Sequence, residues 1–276
     1  MVEFLAGVFG LLIGSFLNVC IYRWPRDLSV VRPRSACPEC EQLIAWYDNV
    51  PVLSFLLLRG GCRKCHARIH WRYPLVELLT ALAFAFWVHH SGLTLIAVKY
   101  CVFSAILIAL VFTDLDTLIL PDEFTIGGFF IGLVFAFFAP VPDSTFRLAA
   151  SLFGWLPGAR GAALGEALLG ALLPAGALWL LGWIFEKVRH KEGLGLGDVK
   201  MLAMVGAFLG IQGALLTIGV GAFAGTIIGL AFIKLTGKDP SSYPLPLGSF
   251  LGVAALIVSI FLLPVDTATA GSVLYP

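Results

Sequence analysis

Long, nearly unbroken apolar stretches alternate with short polar segments along the chain. Eight of them run approximately over residues 3–22, 74–90, 94–113, 124–139, 161–186, 200–216, 217–234 and 246–264. Each is long enough, or nearly so, to cross a hydrocarbon layer of about 30 Å as a helix. Helix is the expected spanning element, because in lipid every backbone group must be satisfied within its own segment. The two-residue alternation of a membrane β-barrel is absent from the pattern. The chain therefore reads as an all-α polytopic membrane protein with about eight transmembrane helices. The sixth and seventh are parted only by a Gly-rich turn near Gly213.

Composition agrees. Of 276 residues, 59% are hydrophobic and 13% charged, against roughly 45–50% and ~25% in an ordinary globular protein. Mean hydropathy is +0.94. A water-soluble fold of this size could not hide so much apolar side chain, and a disordered chain would lack it. A net charge of +1 offers nothing to nucleic acid, so no nucleic-acid partner is expected.

Lys and Arg set the orientation. Segment 23–73 carries nine, Lys187, Arg189, Lys191 and Lys200 follow the fifth span, and Lys234 and Lys238 follow the seventh. With eight alternating helices all fifteen fall on one side, and only Lys99, Arg147 and Arg160 lie elsewhere. That side is expected to be cytoplasmic, with both termini opposite. The first span has Glu3, no basic flank and no small-residue cleavage site, so it reads as a retained helix. Three domains are expected: helix 1–22, a cytoplasmic segment 23–73, and a membrane domain 74–276. Loop 140–160, with Pro, Gly and Trp, reads as outward and interfacial.

The cytoplasmic segment contains Cys37-Pro-Glu-Cys40 and Cys62-Arg-Lys-Cys65, two C-x2-C knuckles 21 residues apart. A knuckle turn points both thiolates inward, so the four can hold one tetrahedral Zn2+. Four cysteines leave no open position for water, which makes the ion structural. Two disulfides are the alternative, disfavoured in a reducing cytoplasm. Arg34, Arg63 and Lys64 would offset the thiolate charge. His66 and His70 read as solvated or packed. Cys20 and Cys101 read as buried packing residues, and Glu77 as half of a structural ion pair.

Ionisable groups at membrane depth are costly and usually mark function. Asp114, Asp116 and Asp122 follow the third span, and Asp198 opens the sixth after Gly193, Gly195 and Gly197. Both sets fall on the same side. Two carboxylates sharing a proton are what an aspartic peptidase needs. Helix capping is the plainer reading.

The ordered blocks GSFLNVCIYRWP (14–25), the two knuckles, WYDNVPVLSFLLLRGGC (46–62), WRYPLVELLT (71–80), DLDTLILPD (114–122) and GLGLGDVK (193–200) closely resemble the type IV prepilin peptidases, bifunctional leader peptidases and N-methyltransferases. The resemblance runs from about residue 14 to 250. It implies a multi-pass enzyme of the bacterial inner membrane with its active site facing the cytoplasm. Its partners would be membrane lipid and the N-terminal segments of type IV prepilins or type II secretion pseudopilins. It implies Asp114 and Asp198 as catalytic, Asp116, Asp122, Gly195 and Gly197 as supporting, and the cysteines as zinc ligands of a methylation-associated domain. S-adenosylmethionine would be the methyl donor. Its binding residues and the oligomeric state are left open. No Rossmann G-x-G-x-x-G follows a strand, so the donor would sit in or beside segment 23–73, where Trp46, Tyr47, Arg72 and Tyr73 are candidate contacts. The chain departs from the family pattern at PLGSF (246–250). Many members carry a Pro-Phe-Gly-Pro-like block there; Pro246 and Gly248 match, Leu247 and Ser249 do not. A peptidase without methylation, a transporter and a zinc-stabilised assembly factor are the rival readings. Against a transporter, the aspartates lie at helix ends and no internal repeat is visible.

Overall fold

A computed structural model of the chain describes residues 1–139, 145–154, 157–190, 194–236 and 245–262. Lys191, Gly193, Lys238, Trp155, the start of loop 140–160 and the last two residues of the eighth stretch lie outside these.

The described residues are helical apart from short connections. The helices are α1 (Val2–Arg23), α2 (Leu53–Leu57), α3 (Arg72–Ser91), α4 (Leu95–Thr117), α5 (Asp122–Phe138), α6 (Thr145–Leu152), α7 (Ala159–Arg189), α8 (Leu196–Thr236) and α9 (Leu247–Phe261). Among the described residues β-pairing is limited to two isolated antiparallel bridges, Ala36 with Leu43 and Gly61 with Arg68. Four helical stretches are individually long and apolar enough to cross a membrane: Val2–Arg26, Leu95–Thr117, Ala159–Arg189 and Leu196–Phe232. This is a multi-pass membrane protein.

The last of these stretches has 37 residues, or ~55 Å at 1.5 Å per residue, nearly twice a single crossing. It is broken at Gly210, whose φ of 73° lies in the left-handed region. The break comes three residues before the expected Gly213. Glu166 of α7 explains its position. Its Oε1 accepts a hydrogen bond from the Ile211 amide at 3.1 Å, and its Oε2 accepts one from the Phe146 amide of α6 at 2.7 Å. An amide freed by the break is thereby satisfied inside the bundle, where an unmet donor costs about 1–3 kcal/mol.

Glycines let the helices approach. Gly10 and Gly14 of α1 lie against the backbone of Ala81 and Glu77 in α3, which makes that pair antiparallel. Gly170 of α7 meets Gly206 and Gly210 of α8 backbone to backbone. Gly252 of α9 receives Val111 of α4, and Gly128 of α5 receives Met204 of α8. These contacts gather the end of α4 and the starts of α5, α8 and α9 at one end of the bundle. The beginning of α3 joins them there through an ion pair from Arg72 to Asp116.

Helix α4 is the axis. Phe103, Leu107, Ala109 and Leu110 are completely buried. Phe103 stacks on Phe208 of α8 with ring centroids 4.7 Å apart. Trp87 stacks on Tyr100 at 4.6 Å and donates its indole N–H to Ser104 Oγ at 2.7 Å. Cys20 and Cys101 are buried packing residues. In the 140–160 loop, α6 exposes Leu148 and Leu152, with Phe153 just beyond it.

Candidate functional site

Two constellations occupy the same end of the chain's topology. The first is the cysteine cluster. Both knuckles fold alike. The Cys37 amide donates to Gln42 O at 3.0 Å and the Glu41 amide to Cys37 O at 2.9 Å; the Cys62 amide donates to Ala67 O at 2.9 Å and the His66 amide to Cys62 O at 3.0 Å. The fifth residue of each turn, Glu41 or His66, is left-handed with φ of 55° or 56°. One β-bridge closes each turn. The four Sγ atoms all lie within 4.8 Å of one another, and those of Cys37 and Cys65 are 3.7 Å apart. Four sulfurs on one zinc at ~2.3 Å would stand about 3.8 Å from each other, so the donor set fits a tetrahedral ion. The backbone amides of Cys65 and Lys64 draw the Cys62 thiol down to about 6.

His66 and His70 take no part in the cluster. His70 Nδ1 accepts from the Arg72 amide at 3.2 Å and its ring stacks on Trp71. Arg63 spends its charge on Asp48, which accepts from Nε at 2.8 and 3.0 Å. That guanidinium holds the Asp48 carboxyl below its usual range. Glu77 is not half of an ion pair among the described residues. Its Oε2 accepts from the Val52 amide at 2.7 Å, which binds the segment between α1 and α3 to the second turn of α3.

The second constellation is acidic. Asp114 lies in the last turn of α4, only 4% exposed. Asp198 lies in the first turn of α8, half-buried, its amide donating to Gly195 O at 3.1 Å. A side chain at Gly195 would reach the Asp198 carboxylate, and one at Gly197 would press on Leu120. Leu120 also abuts Gly248, so one leucine packs between the Asp198 turn and the start of α9.

The four aspartates have different partners. Asp116 is ion-paired with Arg72 and Asp122 with Lys200. Neither Asp114 nor Asp198 has a cationic partner among the described residues. Asp114 instead accepts two hydrogen bonds on Oδ2, from the Ser249 amide at 2.6 Å and the Ser249 hydroxyl at 2.8 Å. Sequence reasoning missed Ser249, because it sits 135 residues from Asp114 and reads as a departure from the family block.

A helical membrane bundle with two carboxylates at its helix ends, neither paired with a cation among the described residues, offers the groups that an aspartic peptidase uses. Comparison with known proteins supplies the family. Residues 8–91 match the Bacterial Peptidase A24 N-terminal domain and residues 101–230 the Type IV leader peptidase family. The "Prepilin leader peptidase/N-methyltransferase" of Aeromonas salmonicida is 36% identical over 91% of this chain and 87% of its own length. That of Pseudomonas aeruginosa is 34% identical over 90% of this chain and 86% of its own length. That of Myxococcus xanthus is 39% identical over 84% of this chain, a match spanning 63% of the longer relative. The chain belongs to the type IV leader peptidase family. No solved structure matches it.

Proposed function

We propose that the chain is a prepilin leader peptidase and N-methyltransferase whose catalytic pair is Asp114 and Asp198. One observation carries the assignment. Of the four aspartates in the two blocks, these two alone lack a cationic partner among the described residues, so they can share a proton without a competing charge there.

The chemistry follows from that sharing. The ionised carboxylate takes a proton from water, and the hydroxide formed attacks the scissile carbonyl carbon. The protonated carboxyl hydrogen-bonds to the carbonyl oxygen and stabilises the charge that develops there. As the tetrahedral intermediate collapses, the C–N bond breaks and the leaving amine takes a proton from the pair. The products are a leader carboxylate and a new N-terminal amine.

The substrate is the N-terminal segment of a prepilin or pseudopilin, itself a membrane helix. A site at the helix ends receives it without drawing it out of lipid. We read eight passes in the bacterial inner membrane: α1, α3, α4, α5, α7, the two halves of α8, and α9. The fifteen basic residues on one side support a cytoplasmic active site. Segment 23–73 is a zinc-binding module and 74–276 the peptidase domain. Cys37, Cys40, Cys62 and Cys65 would hold Zn2+, which would lock the two knuckles together. Asp116 and Asp122 position the block, and Gly195 and Gly197 keep side chains off the approach to Asp198.

S-adenosylmethionine supplies the methyl group for the new amine. Arg72, one of four candidate contacts, is ion-paired with Asp116.

The test is incubation with a prepilin in detergent, with and without S-adenosylmethionine, read by mass spectrometry. Leader loss without the donor and an added methyl with it are expected. Leader loss that survives Asp198→Asn would refute the assignment.

A further inference from the structure

The last turn of a helix is an unfavourable place for a carboxylate, since the carbonyl end of the dipole repels it. Asp114 stands there in α4, nearly fully buried. Compensation comes from another helix. Ser249 is the third residue of α9, and its amide is among the first four, which have no intrahelical acceptor. That amide and the Ser249 hydroxyl both reach Asp114 Oδ2. Asp114 thus caps α9 from outside, at the end of a dipole that favours an anion. Among the described residues no donor reaches Oδ1.

Close approach is built in. A side chain at Gly248 would stand 3.1 Å from the Asp114 carboxyl carbon and 2.9 Å from Leu120, so Gly248 is what admits the carboxylate to the helix end. The Ser249 hydroxyl also lies 3.1 Å from the Val111 carbonyl. It has one proton for two acceptors, and the ionised carboxylate is the stronger competitor. A proline at this place, as in many family members, would offer neither donor.

We propose that Ser249 is a positioning residue for peptide cleavage. It fixes Oδ2 of Asp114 by two donors, leaving Oδ1 as the oxygen that exchanges a proton with water, and it steadies the negative charge on Asp114 while Asp198 carries the proton. The inference rests on the reading of Asp114 and Asp198 as the catalytic pair.

The test is leader cleavage by the full-length detergent-solubilised protein carrying Ser249→Ala, Ser249→Gly, Ser249→Thr or Asp114→Asn. Loss of one hydrogen bond to a charged group corresponds to a fall of about tenfold or more. Ser249→Ala and Ser249→Gly should both lower kcat about tenfold with KM changed less than about twofold, because the lost bond serves the carboxylate and not the substrate. Ser249→Thr keeps the hydroxyl and should recover most of the rate. Full activity in Ser249→Ala, a rise in KM at unchanged kcat, or a threonine variant no better than alanine would each overturn the proposal. An active Asp114→Asn enzyme would instead remove the reading on which it rests. Thermal unfolding of each variant, unchanged to within a few degrees, separates lost positioning from lost fold.

Discussion

Lys200 places its ammonium 2.7 and 3.0 Å from the two carboxylate oxygens of Asp122. The pair ties α8, at its fifth residue and two residues past Asp198, to the first residue of α5. Both side chains are partly exposed, 39% and 56%, and pairs of this kind contribute only about 0–1 kcal/mol. Asp122→Asn is therefore expected to retain measurable cleavage, within about fivefold of the parent rate. Steady-state kinetics on a prepilin substrate check this; complete inactivity would move Asp122 into the proton-transfer machinery.

Asp114 and Asp198 should behave as a unit. Asn keeps the shape of each side chain but transfers no proton. Either single change should lower kcat by about 10³-fold or more, and the double change should cost scarcely more than one alone. Asp116→Asn should remain active. If Asp116→Asn is inactive and Asp114→Asn active, the wrong member of the block carries the chemistry. If the pair shares a proton as proposed, its pH–rate profile should show two macroscopic titrations that belong to neither residue alone.

Zinc should be separable from cleavage. Purified protein is expected to hold about one equivalent of zinc, lost in Cys40→Ser. Limited proteolysis should then cut within residues 23–73 before it cuts the helices. Leader cleavage should suffer less than segment integrity; equal loss of both would argue against two modules. Acid provides a second probe. Arg63 depresses the Asp48 carboxyl, so their contact is fully present above the ordinary Asp range near ~3.9. It is lost only as pH falls through the lower, folded value. Arg63→Ala should shift that titration upward, measurable by NMR of a labelled Asp48.

Helix crossings make a third contrast. A methyl on Gly206 would run into the Gly170 backbone, whereas Gly219, on the same helix, faces open space. Gly206→Ala should destabilise by at least about 1–3 kcal/mol and lower activity, because α8 carries Asp198. Gly219→Ala should be neutral or stabilising by about 0.5–1 kcal/mol. Thermal unfolding in one detergent decides it; equal effects would mean that α7 and α8 cross elsewhere.

Glu166 should matter although it is remote from the acidic cluster. Glu166→Ala strands the Ile211 amide freed by the break, at about 1–3 kcal/mol, and removes the bond from the Phe146 amide. Glu166→Gln keeps one acceptor and should lose about half as much. Unfolding midpoints for the two variants would show that order, and identical midpoints would contradict it.

What could be read from the chain was what its local order encodes. Each cysteine knuckle lies within four residues, so its spacing in sequence is nearly its spacing in space. The apolar stretches fix helices because lipid permits few alternatives. Contacts across the bundle were another matter. Ser249 met Asp114 from 135 residues away, and its mismatch with the family block concealed that role. Glu77 suggested a cationic partner but found a backbone amide, which no residue type announces. The break in α8 came at Gly210 rather than Gly213 because Glu166 of another helix waits there for the freed amide.

Arg72 closes segment 23–73 by sequence, yet its ion pair reaches Asp116, two residues from Asp114. Its Nε is buried without another acceptor among the described residues. A shortened chain lacking residues 23–73 would leave Asp116 without its counter-charge beside the acidic site. Lineages that shed the cysteine segment would thus need either a replacement cation or a neutral residue at 116. Swapping segment 23–73 between relatives should therefore work best when the arginine at the join travels with its aspartate.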